Sequence, residues 1–271
     1  MNLTKIVSIV LFLVAAALAG YLWNSIRSTI KHQESIKITE KQITDKLQVI
    51  REAQKVFREQ HGRYTSDWDS LINFVQYAEV PITVRTETII PLSYGRDSIH
   101  VQIDTLGFVS AKDRIFKKTT TINAADDGTF LGFAVNVGDE VVKQAKSYSL
   151  RRESNNRVED FVFLDKGTIS GLANIKPGDK VTKGQYLITL WDYQFDPNLD
   201  IASLNIVPGS DGKEFGIFTG KIDRNGILVD VIHVWDPDPV NPARKATNEA
   251  RNRQPLQFGS KTDVNTSGNW E

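Results

Sequence analysis

Hydrophobic and polar positions divide the chain into three regimes. From Ile6 to Trp23 eighteen residues pass without a charge, a length that as a helix covers about 27 Å, the thickness of a bilayer's hydrocarbon. From Asn24 to His61 neither Gly nor Pro interrupts the chain, and apolar residues recur at Ile43, Leu47, Ile50 and Phe57, the spacing of one helical stripe. Lys46, Arg51, Glu52, Lys55, Arg58 and Glu59 fill the other faces. Between them Ile26, Ile30, Ile36 and Ile38 are less regular, and Glu34, Thr39 and Thr44 dilute the stripe, which predicts an interruption near residues 35–39.

Gly62 stands where a helix-ending glycine is expected. Ser66 with Asp69 three residues later, ahead of Leu71, Ile72, Phe74 and Val75, predicts a second, short helix. Trp68, Phe74 and Tyr77 are expected to be core aromatics. Beyond Val80 the pattern shifts to short apolar or alternating runs: 89–92, 98–103, 130–137, 158–164, 185–191, 215–222 and 227–235. Turn signals separate them at Tyr94-Gly95-Arg96-Asp97, Asp126-Asp127-Gly128, Pro177-Gly178-Asp179 and Asp223-Arg224-Asn225-Gly226. The last is an Asn-Gly hairpin signal. Strands without alternating helices imply antiparallel pairing, so the expected class is α+β: an N-terminal transmembrane and amphipathic helix followed by a mainly antiparallel β domain. The expected divisions are 1–23 as anchor, 24–78 as amphipathic plus short second helix, 79–236 as a β-rich head, and 237–271 as a polar loop and tail that docks back through Trp270.

Tyr21 and Trp23 suit the headgroup level at one end of the apolar run. Ala17-Leu18-Ala19 also fits a signal-peptidase site, so cleavage and retention both stand; retention is preferred because the run continues into a helix. Lys5 on one side and Arg27 and Lys31 on the other leave orientation weakly determined. A short leader before a large domain favours a single-pass inner-membrane protein with its bulk outside the cytoplasm.

The stretch from Ala53 to Thr65, reading Ala-Gln-Lys-Val-Phe-Arg-Glu-Gln-His-Gly-Arg-Tyr-Thr, followed by Trp68 and Leu71, resembles the pilins of type IV pili and the pseudopilins of type II secretion systems. Gly209-Ser210-Asp211-Gly212-Lys213-Glu214 and Gly268-Asn269-Trp270 echo the same family. The resemblance implies a structural subunit of an envelope complex, with assembly or packing through Ile43, Leu47, Ile50, Phe57, Tyr64 and Trp68. Membrane lipid and protein partners, including further copies of the chain, follow from it. The family's Gly-Phe-Thr-Leu-x-Glu processing motif and the glutamate five residues into the apolar run are missing here.

A second resemblance lies in Gly167 to Leu190, with Lys176-Pro177-Gly178-Asp179-Lys180-Val181 and Gly184 inside it, which is similar to half of the biotinyl/lipoyl barrel-sandwich motif. Val137-Gly138-Asp139-Glu140-Val141-Val142-Lys143 is a fainter copy about forty residues earlier. The residues after Leu190, Trp191-Asp192-Tyr193-Gln194-Phe195, carry no lysine for attachment of biotin or lipoate. What is kept is a sandwich-like β module, as in periplasmic adaptors of transport complexes, the alternative reading of function.

Composition narrows the chemistry. With 33 basic and 33 acidic residues, no overall field recruits nucleic acid. The chain has no cysteine, which removes disulfides, thiolate metal sites and a cysteine nucleophile. His32, His61, His100 and His233 have no ligand spacing, and no phosphate loop, nucleophile elbow or zinc-protease motif is present. The acidic runs 192–200 and Asp236-Pro237-Asp238-Pro239 lack EF-hand spacing and read as solvated turns. The expectation is a protein without catalytic residues, cofactor or metal.

Overall fold

The computed structural model describes residues 3–91, 97–245 and 253–271. The chain belongs to the α+β class: a long apolar N-terminal helix leads into a mostly antiparallel β region. It forms two compact units, one from residues 1–68 and 202–271 and the other from residues 69–201. The head expected over 79–236 is thus divided at Ile201, and the C-terminal segment belongs with the first helix.

In the first unit, helix α1 runs from Leu3 to His61. The interruption expected near residues 35–39 does not occur. Ser35 lies within the helix, its hydroxyl donating to the His32 carbonyl at 2.8 Å. Gly62, at a φ of 72°, closes the helix and donates to the Arg58 carbonyl. Buried Gln54 then clamps the departing chain, donating to the Thr65 carbonyl at 2.7 Å and accepting from the Thr65 amide at 3.1 Å.

The C-terminal part supplies a three-stranded antiparallel sheet of β11 (Gly216–Arg224), β12 (Ile227–Trp235) and β13 (Gln257–Gly259), with β12 in the middle. The Asn-Gly signal is realised at the β11–β12 turn, where Asn225 and Gly226 have φ of 56° and 82°, the two left-handed residues a type I′ hairpin needs. Val231, Ile232 and Val234 of β12 and Phe258 of β13 are buried. The tail returns to this sheet. Gly268 bridges Phe258, and Asn269 bonds both the Gln257 amide and the Pro255 carbonyl through its side chain.

The boundary between the units falls after the first residue of α2 (Trp68–Tyr77), which buries Leu71, Phe74 and Val75. Trp68 is half-buried, while Tyr77 is 78% exposed and is not a core aromatic. A long antiparallel ribbon follows, β1 (Glu79–Pro91) against β2 (Asp97–Ser110), with a bulge at Ile82 and Thr83. The turn expected at residues 94–97 lies mostly outside the described residues. Helix α3 (Ala111–Phe116) is capped by Ser110, whose hydroxyl accepts from the Asp113 amide, and the Ala111 amide donates to the Ala78 carbonyl at the base of the ribbon.

The rest of this unit is a sandwich of two four-stranded sheets. One has the order β3 (Lys117–Asn123), β10 (Tyr186–Tyr193), β8 (Gly167–Leu172), β5 (Glu140–Val141). The other has β7 (Val158–Val162), β6 (Lys146–Arg152), β4 (Gly128–Phe133), β9 (Lys180–Val181). The two orders are the same arrangement used twice. The second copy repeats the first about forty residues on: Asp139 accepts from the Asn136 amide at 2.8 Å, and Asp179 accepts from the Lys176 amide at 2.8 Å. Each copy also reaches into the other. Gly138 donates to the Ile169 carbonyl and Gly178 to that of Phe130, both at 2.8 Å. Core positions correspond as well: Val141 with Val181, Tyr148 with Ile188, Leu150 with Leu190, and Phe130 with Ile169 all fall in one buried cluster. The faint copy in the sequence is therefore a complete structural half, and neither half buries its apolar face without the other.

Candidate membrane anchor and assembly helix

Helix α1 changes character along its length. Leu11, Phe12, Tyr21, Leu22 and Trp23 are all more than half exposed, in a stretch without charges. A helix apolar on every side and bare of protein is what a bilayer accommodates, and α1 is long and apolar enough to cross one.

Further along, the same helix is covered by its own chain. Ile43, Leu47 and Ile50 are essentially inaccessible, Phe57 and Tyr64 are buried, and Trp68 is half-buried. Val49, Ala53, Gln54 and Val56 are also buried, which widens the stripe into a face. Polar contacts of the first unit fasten it at three levels. Glu40 accepts from Arg244 Nε at 2.6 Å and Asn241 Nδ2 at 2.9 Å. Lys46 donates to the Ser203 and Ile206 carbonyls at 2.6 and 2.9 Å. Arg51 pairs with Glu271 and lies 5.8 Å from the Trp270 ring. Beyond them Arg58 donates to the Tyr64 hydroxyl at 3.0 Å and His61 stacks on Phe57.

Electrostatics follow these contacts. Burial pushes Glu40 upward, but hydrogen bonds from Arg244 and Asn241 outweigh it and hold the carboxyl below its ordinary value. The Arg51 hydrogen bond lowers Glu271. Near the start of the C-terminal loop, hydrogen bonds from Lys213 and Lys245 bring Asp238 down to about 2. Asp236 is itself buried and raised by that burial, so the Asp-Pro run is not the wholly solvated turn expected. Its position explains this: the Asp236 amide donates to the Leu256 carbonyl, which ties the run to the strand below.

Among the described residues no three His, Cys, Asp or Glu side chains come together as a metal site. His32 and His61 are exposed, and His233 accepts or donates one bond with Gln257 at 3.1 Å; His100 lies where only the backbone is described. A scan against protein-family models finds no match, and a search of curated proteins finds none.

The six residues singled out for packing or assembly thus lie on or beside the covered half of α1. Apolar side chains free to meet another molecule sit nearer the N-terminus, at Ile26, Ile30 and Ile38, which are 58%, 51% and 60% exposed. The sequence pattern passed over them because their spacing is irregular against a single stripe. Only the burial of Ile43 to Phe57 separates the two sets.

Proposed function

We propose that the protein is a structural subunit of a bacterial envelope complex, of pilin or secretion type. Its α1 roots it in the inner membrane as a single pass, and its β-rich parts stand outside the cytoplasm. The observation that carries this reading is the division of α1 into a bare apolar half and a half clothed by its own chain. A subunit of such a complex needs both: one stretch to reside in lipid and meet neighbours, another to hold the folded part at fixed register. Burial of apolar area at about 25 cal/mol per Å² would drive lateral association through Ile26, Ile30 and Ile38. Fractionation of cells expressing the chain, with cross-linking at residue 30, tests it. Recovery from membranes with cross-linked copies or envelope proteins supports the reading; a soluble, uncrosslinked chain defeats it.

A second reading, an adaptor in a transport complex, is favoured by the duplicated sandwich. The turn between β6 and β7 carries Glu153, Ser154, Asn155 and Asn156, with no lysine to carry a prosthetic group, so such a module would serve docking. Cross-links to a transporter without cross-links between copies would favour it.

A further inference from the structure

The ribbon of β1 and β2 is only two strands wide. Among the described residues β1 hydrogen-bonds to β2 alone, so its outer edge carries no strand, and a two-stranded ribbon by itself is marginal in water. Proteins normally blunt such an edge with proline, a bulge or charge. In β1 the prolines stand only near the ends, at Pro81 and Pro91. The bulge at Ile82 and Thr83 skips Leu106, so its extra residue interrupts β2 and leaves residues 82–90 of β1 without one. All of that stretch except Arg85 and Glu87 is β-branched, and those two charges cancel, a composition that suits strand addition.

The stretch is symmetric about its centre. Thr86 lies five residues from each proline, with Arg85 before it and Glu87 after it. Within the ribbon neither charge has an opposite charge across from it, since Arg85 stands in register with Ile103 and Glu87 with Val101. Laid antiparallel against a second copy, with Thr86 opposite Thr86, the edge complements itself. Arg85 comes opposite the partner's Glu87, Glu87 opposite the partner's Arg85, and Val84 opposite the partner's Thr88. Opposite charges facing each other across strands stabilise the pairing. Moving the two-fold axis by one residue, to Arg85 or to Glu87, sets like charge against like, so the same two residues fix the register.

We propose that two copies of the chain join through their β1 edges about a two-fold axis at Thr86, giving a four-stranded antiparallel sheet of order β2-β1-β1-β2. A self-complementary patch is what a two-fold contact requires. The contact uses none of α1 and does not rest on the association proposed for that helix.

The chain has no cysteine, so single introduced thiols report the register. The test uses the full chain in detergent micelles, oxidised with copper phenanthroline in air. Thr86→Cys is expected to give a disulfide-linked dimer on its own, and Thr88→Cys to give one only when mixed with Val84→Cys. In sedimentation without oxidant, Arg85→Glu and Glu87→Arg should each weaken the dimer about tenfold at low salt, two attractive cross-strand pairs having become repulsive. An equimolar mixture of those two variants should restore it, which also shows that both fold. The proposal is overturned if Thr86→Cys links no faster than Leu164→Cys, at a position 75% exposed, or if Thr88→Cys links as well alone as with Val84→Cys. Association that ignores the charge reversals, as contact through α1 would, overturns it too, as does a mixture that stays as weak as its components. Cross-linking at residue 30 reads the α1 contact separately.

Discussion

Leu47 offers the sharpest discrimination between a helix face that serves the chain's own fold and one kept for partners. It is wholly inaccessible, one position from Lys46 and its bonds to the Ser203 and Ile206 carbonyls. Leu47→Ala removes a buried isobutyl group and leaves a cavity that a helix pinned on either side by such bonds cannot collapse around. The expected loss is about 3 kcal/mol, within the range for buried leucines. For a unit of this size it lowers Tm by roughly 10 °C. Thermal unfolding of the full chain in micelles, followed by circular dichroism, gives the shift; cross-linking in membranes gives association. The paired variant Ile30→Ala should do the reverse, leaving Tm within about 2 °C because its side chain is already half exposed, while reducing cross-links. Unchanged melting of Leu47→Ala together with lost cross-linking would show that the face belongs to an intermolecular contact and would refute the reasoning.

Three further outcomes are expected. The pseudo-symmetry of the sandwich predicts matched responses at Gly128 and Gly167: an added Cβ would come within 2.4 Å of the Arg151 carbonyl oxygen in one case and 2.6 Å of that of Trp191 in the other. Each Gly→Ala change should cost more than about 2 kcal/mol in chemical denaturation, and a cost at one site alone would contradict equivalent halves. Gly226→Val forces a β-branched residue into the left-handed turn between β11 and β12 and should cost about 1–2 kcal/mol, read by the same assay. Asp238, lowered from 3.8 to about 2 by Lys213 and Lys245, contributes stability that is present above its ordinary value and lost as pH falls toward 2. Melting curves of Asp238→Asn should therefore lose part of the slope between pH 4 and pH 2 seen in the wild type.

Local signals were the legible ones. The Asn225-Gly226 turn, the Gly62 helix end and the strand at Ile227–Trp235 follow from backbone preferences within a few residues. What escaped depends on distant partners. β3 is Thr-rich with two lysines, and β6 mixes Ser147, Tyr148, Ser149 and Leu150; neither alternates cleanly, because each is a strand only through its neighbours in the sheet. Ser147 is inaccessible yet satisfied, donating to the Phe161 carbonyl at 2.8 Å. The division at Ile201 was equally hidden: nothing in the composition there changes, and the boundary exists because residues 202–271 belong with α1. Of the residues singled out on the helix, burial of Ile43, Leu47 and Ile50 followed from their period, whereas the polar bonds that fasten the helix did not, since Glu40, Lys46 and Arg51 find partners more than 150 residues away.

That return governs the order of events during synthesis. The first unit is assembled from the two ends of the chain, so the bonds of Glu40, Lys46 and Arg51 to residues 202–271 cannot form until those residues have been made. At about 5–20 residues per second the gap is of order ten seconds, during which residues 69–201 can complete their own fold before these bonds close the first unit. A chain stopped before Ala202 would carry a finished sandwich and an α1 without its polar fastenings, which makes the last quarter of translation the step that completes the first unit.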